Sequence, residues 1–200
     1  MQSIETVYNG YRFRSRTEAR WAVFMDEAGI PYMYEPEGFK FSDGTMYLPD
    51  FYLPEQDTFL ECKGIMGAED EKKIIMLCKE TGHDSGREVI IGYPDMTFQL
   101  CGYDAGIEEN ERERFTMFSK DESWLCRCRK CGKLFFMNSI YGWNCRICNH
   151  YEGDHGFEIL EEGGVYARYG SFEPFIKARQ ARFEHGERGE HIRTLQAVMP

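Results

Sequence analysis

Two neighbouring runs, Leu48-Pro49-Asp50-Phe51 and Phe59-Leu60-Glu61-Cys62-Lys63-Gly64, decide how the first half of this chain folds. Both are rich in the aromatic and apolar residues of strands, and Pro54-Glu55-Gln56-Asp57 between them has the composition of a turn. A four-residue hairpin loop pairs Leu53 with Thr58 and sets Asp50 directly opposite Glu61. Alternation along the second strand puts Glu61 and Lys63 on one face, with Leu60 and Cys62 turned into the core. Two carboxylates facing each other across adjacent strands repel, which normally destabilises a sheet. A divalent cation between them converts that repulsion into binding, because hard cations take oxygen ligands. The pattern predicts a metal held by Asp50 and Glu61 with the amine of Lys63 on the same edge.

Outward from this hairpin, the spacing predicts a helix over 17–28. Ser15 and Glu18 have capping-box spacing, Trp21, Phe24, Met25 and Ala28 form one apolar stripe, and Gly29 and Pro31 supply the stop. Short strands are expected at 32–34, 39–41, 47–53 and 58–63, with Asp43-Gly44 as a turn. A second helix over 68–80 opens on Glu69, Asp70 and Glu71 and ends before Gly82. Val89-Ile90-Ile91 reads as a buried strand. The order is helix, β-meander, helix, strand, an α/β domain over residues 1–100. A polar linker with a turn or two of helix is expected over 101–123, a cysteine module over 124–150, and an acidic loop with a C-terminal helix near 174–183 over 151–200.

Two carboxylates, a cation and a lysine suit hydrolysis of a phosphodiester. The metal lowers the pKa of water and stabilises charge on the attacked phosphate, while the lysine orients or deprotonates the water or steadies developing charge. Glu18, projecting from the first helix, is a further ligand or an acceptor behind the ligands. PD followed by ECK in an αβββαβ order resembles the PD-(D/E)xK nuclease superfamily, whose core is the restriction-endonuclease-like fold. Arg14-Ser15-Arg16-Thr17-Glu18-Ala19-Arg20-Trp21-Ala22 is similar to a phage and mobile-element branch related to Tn7-type transposon-end endonucleases. The resemblance covers residues 8–95. It implies a metal-dependent DNA endonuclease in which Glu18, Asp50, Glu61 and Lys63 are catalytic. It also implies that Asp50, Glu61, Glu18 and the backbone carbonyl of Cys62 hold Mg²⁺ or Mn²⁺, and many enzymes of this fold type cut duplexes as homodimers; the acidic body of the chain points instead to a delivery protein for the substrate.

Cys128-Arg-Lys-Cys131 and Cys145-Arg-Ile-Cys148 are two CxxC knuckles with thirteen residues between them. Four thiolates in two such pairs make a tetrahedral structural Zn²⁺ site, closed to catalysis. The module resembles a zinc ribbon, with small hairpin strands at 134–136 and 141–143. Cys126 is an alternative to Cys128, and His150 and His155 are alternative ligands. Residues 126–150 hold five bases (Arg127, Arg129, Lys130, Lys133 and Arg146) and no acid, whereas 151–165 hold five acids and no base. In a chain of net charge −10 that patch is an expected nucleic-acid contact, with exposed aromatics stacking on bases, and the alternative is a structural clip or protein-docking surface, which base composition does not separate from it.

No apolar run approaches the roughly 18 residues of a membrane span. The N-terminus lacks the basic and apolar regions of an export signal, and eight cysteines without one point to a reducing cytoplasm. Cys62, Cys78 and Cys101 read as core thiols. The reading from a different class is a non-catalytic nucleic-acid- or protein-binding module, with the ribbon binding and the α/β domain as scaffold.

Overall fold

Asn9 and Gly10, both at positive φ (47° and 85°), turn β1 (Thr6–Tyr8) tightly back on β2 (Tyr11–Phe13). The computed structural model describes residues 4–82, 88–104, 114–140, 142–163 and 172–183. The hairpin feeds α1 (Arg16–Ala28), capped by the Ser15 hydroxyl accepting from the Glu18 N–H (3.2 Å) and ended by Gly29 in the left-handed region. Then come β3 (Met33–Tyr34), the hairpin of β4 (Phe39–Lys40) and β5 (Met46–Tyr47), β6 (Phe51–Leu53), β7 (Thr58–Cys62), α2 (Ala68–Gly82) and β8 (Val89–Gly92). The chain continues through β9 (Phe98–Asp104), β10 (Arg114–Met117), a 3-10 turn at Lys120–Glu122, β11 (Ser123–Cys128), β12 (Leu134–Asn138), β13 (Phe157–Glu162) and α3 (Glu173–Gln180).

A six-stranded mixed sheet, in the order β10-β9-β8-β7-β6-β3, divides the molecule into layers. Only β7 and β8 run parallel, and α2 makes the crossover that such a pair requires. Leu60, Ile90 and Leu100 are neighbours across the ladder and turn toward α1 and α3. Val89, Ile91 and Cys101 turn the other way, onto Ile74, Leu77 and Cys78 of α2. Trp21, Phe24 and Phe175 bind the two helices of the first layer, with Phe24 and Phe175 stacked at 4.1 Å between centroids. Gly92 is required here: a Cβ would lie 2.4 Å from the Trp21 ring.

The mixed α/β class, both helices and the strands of the 58–63 and 89–91 runs match the expectations, whereas the β1–β2 hairpin was not expected and the run 47–53 is divided between β5 and β6. The loop at 54–57 has four residues, Leu53 pairs with Thr58, and Phe51 pairs with Leu60. Three expectations further along the chain are corrected. Residues 101–123 do not serve as a polar linker, because β9 runs to Asp104 and β10 adds an edge strand to the main sheet; residues 105–113 lie outside the described residues. The expected strand at 141–143 is not formed by Gly142 and Trp143, and Tyr141 lies outside the described residues. Instead β13, from the stretch expected to be an acidic loop, pairs with β11 in a sheet ordered β12-β11-β13. Its Phe157 and Ile159 provide the apolar face that a loop would lack.

The cysteine module is fused to the core. Leu125 and Phe136 are buried in the layer of α1 and α3, and the Phe136 N–H donates to Gln56 (2.9 Å) in the β6–β7 loop. Glu88 accepts from Asn138 and from Arg146 (3.1 Å), and its carbonyl accepts from Thr58. Three segments far apart in sequence are thereby tied at one buried acid.

Candidate active site and cysteine cluster

The β6–β7 register sets Asp50, just before β6, beside Glu61 in β7. They are 7 % and 1 % exposed, and the Asp50 N–H donates to Glu61 Oε1 (3.3 Å). Glu61 is more deeply buried than a half-solvated strand face would leave it, because the α2 layer and Tyr47 of β5 cover its side of the sheet. The Tyr47 hydroxyl donates to Glu61 Oε2 (2.6 Å), and Lys63 Nζ lies 3.3 Å from the same oxygen. Asp50 Oδ2 accepts from the Cys62 N–H (2.8 Å), so Cys62, whose carbonyl the resemblance marks as a ligand, meets Asp50 through its amide. Asp50 Oδ1 accepts from Arg14 Nη2 (2.9 Å), whose Nε also holds Glu35 (2.6 Å).

Burial, followed by the charge of Glu61, pushes the Asp50 carboxyl up to about 7 against the pull of Lys63 and the Cys62 amide. Burial raises Glu61 as well. Desolvation works against the Lys63 ammonium, but Glu61 and Asp50 outweigh it and raise its pKa, so Lys63 is a cation at neutral pH. Two adjacent buried acids with one amine and one guanidinium form a polar cluster with strong reasons to recruit positive charge.

Glu18 approaches from α1, on the opposite layer from α2. Its Oε1 accepts from Ser15 Oγ (2.6 Å), and Oε2 accepts from the Tyr34 hydroxyl (2.7 Å) and the Arg14 N–H (3.0 Å). Among the described residues, the one group of three or more cysteine, histidine and acidic side chains with ligand atoms within 4.8 Å of one another is made of cysteines. Asp50, Glu61 and Lys63 are therefore brought together, while Glu18 is linked to them through Arg14. Tyr34 and Tyr47 were not expected at the site. Arg14 stands in the run quoted for the resemblance, but its place on Asp50 depends on the long-range packing of β2 against β6.

The second cluster has finished geometry. The Sγ atoms of Cys128, Cys131, Cys145 and Cys148 all lie within 4.8 Å of one another, with Cys128–Cys148 at 3.7 Å and Cys131–Cys145 at 3.8 Å. Four sulfurs at tetrahedral zinc–thiolate distance are spaced by about 3.8 Å, so the set fits that ion. Each knuckle adds its own amides: Cys131 N–H donates to Cys128 Sγ (3.5 Å), while Ile147 and Cys148 donate to Cys145 Sγ (3.4 and 3.5 Å). Cys126, His150 and His155 stand outside the group; Cys126 is buried in β11, and burial raises its thiol pKa. Cys78 and Cys101 are fully buried and Cys62 is partly so.

The basic patch on this module is largely spent on neighbouring acids. Arg127 pairs with Glu158 (3.5 Å), Lys133 with Glu55, and Arg146, turned inward, with Glu88. Arg129 donates to the Phe157 carbonyl (3.3 Å), and Lys130 is exposed. The aromatics expected to stack on bases are mostly interior: Phe135 and Phe136 are buried, and Trp143 donates its indole N–H to Ser139 (3.1 Å). The chain matches no protein-family model and no curated protein. No helix among the described residues is long and apolar enough to cross a membrane.

Proposed function

We propose that this chain is a metal-dependent DNA endonuclease built on a restriction-endonuclease-like core of the PD-(D/E)xK type, with a zinc ribbon fused to it. The observation that carries the reading is the buried Asp50–Glu61 pair, held side by side by the β6–β7 register with Lys63 against Glu61. An oxygen-only donor pair whose acids are both pushed toward protonation by burial suits Mg²⁺ or Mn²⁺. Such an ion supplies positive charge to a phosphate under attack and acidifies water. Lys63, held as a cation, stabilises negative charge building on the phosphate rather than taking a proton. The Cys62 amide orients Asp50, and Tyr47 orients Glu61. Arg14 is the group that a cation on Asp50 displaces or shares with, and Glu18 positions Arg14 through its backbone N–H.

One arrangement favours the non-catalytic reading, in which the α/β core is a scaffold. Glu18 does not converge with Asp50 and Glu61, and Arg14 already compensates Asp50. Plasmid nicking with Mg²⁺ separates the two. The parent chain is expected to nick, and Lys63→Ala to lose at least about 100-fold in rate while its circular dichroism remains that of the folded chain. No nicking by the parent chain favours the scaffold, and equal nicking by both chains refutes the role of Lys63.

A further inference from the structure

A cleft of about 650 Å³ opens between the start of α1 and the end of α3, lined by Arg16, Arg20, Arg179 and Arg182 with Gln180 and Phe183. Among the described residues no acid lines it, in a chain whose net charge is −10. Arg16 and Arg20 are one turn apart on α1, so both side chains reach the same wall. Their Nε atoms are buried and have no hydrogen-bond acceptor among the described residues. The contacts that Arg20 and Arg179 make are long. Arg20 reaches the Pro94 carbonyl at 3.5 Å, Arg179 the Asp95 carbonyl at 3.4 Å, and Arg179 the buried Glu161 at 3.7 Å.

Planar guanidinium forks gathered in one concave site are matched to phosphate oxygens. The bases of the cysteine module, by contrast, mostly face carboxylates. One residue, the N-cap Ser15, separates Arg16 from Arg14, whose guanidinium touches Asp50, so the cleft begins on α1 directly after the segment that reaches the carboxylate pair. We propose that the arginine cleft between α1 and α3 binds the phosphate backbone of the nucleic-acid substrate and leads it toward Asp50 and Glu61. The identity of the phosphate's bearer rests on the nuclease reading.

The test is fluorescence anisotropy of a labelled DNA oligonucleotide on the zinc-loaded full chain, without Mg²⁺, across a salt series. Arg16→Glu with Arg20→Glu is expected to weaken binding by at least about tenfold and to lower the salt slope by about 2. Unchanged affinity and slope in that variant, with zinc content and circular dichroism intact, overturn the proposal. If it does not fold, Arg16→Gln decides: a slope lower by about 1 supports the cleft, and an unchanged slope overturns it. A chain that never nicks but loses binding with its arginines keeps the cleft and loses the nuclease. Binding of inorganic pyrophosphate with no oligonucleotide bound overturns the nucleic-acid assignment.

Discussion

The cysteine cluster and the carboxylate pair are both groups of potential metal ligands, yet they are assembled in opposite ways. The four thiols come from two local knuckles whose own backbone amides point at the sulfurs, and their spacing already fits a tetrahedral ion. Asp50 and Glu61 come from neighbouring segments of the sheet and are compensated by Lys63, just past β7, and by Arg14 and Tyr47, which arrive from two other places in the chain. A site closed by local geometry is structural in character. A site that keeps two buried acids side by side is held together by the fold around it.

The largest effect is expected where the cluster supports the core. Cys128→Ser with Cys145→Ser should remove one zinc per chain. It should also cost more than about 4 kcal/mol, because Leu125 and Phe136 of the same sheet are buried with α1 and α3. Metal analysis with thermal unfolding checks this, and retained zinc would refute the ligand set. Arg146→Ala comes next. It leaves Glu88, 5 % exposed at its side chain, without its charge partner, and should cost about 3 kcal/mol. That corresponds to a fall of roughly 10 °C in the unfolding midpoint; a change near zero would show that Asn138 alone satisfies Glu88.

The smallest effect concerns pH. Burial pushes Glu161 up to about 7 from an ordinary 4.5, against the pull of Arg179. The folded state therefore binds a proton that the unfolded state has released. Stability from this group is complete below about 4.5 and lost as pH rises through 7. Glu161→Gln cannot titrate, so it should gain on the parent chain between pH 5 and 8, by on the order of 1 kcal/mol. Unfolding curves at the two pH values measure the difference, and parallel curves would contradict the assignment.

The same contrast explains what was legible in the sequence. CxxC spacing and the period of Trp21, Phe24 and Met25 are local signals, and both were readable without coordinates. The register of the hairpin was also readable, because a four-residue loop fixes Leu53 against Thr58 and the rest follows by counting. The Asn9-Gly10 turn was an equally local signal that went unread. Strand β13 was misread because its acids mask an alternation in which Phe157, Ile159 and Glu161 matter, and β10 because it pairs only through its place at the sheet edge. Arg14, Tyr34 and Tyr47 at the site, and the inward turn of Arg146, depend on contacts between distant segments. The arginines of α1 and α3 become one cleft only when Phe24 and Phe175 bring those helices together.

Calorimetric titration of Mn²⁺ into the zinc-loaded chain, beside Glu61→Gln, tests the shared-cation claim most directly. One Mn²⁺ site per chain that disappears in the variant is the expected result. No binding to the parent chain, or equal binding to both, would contradict it.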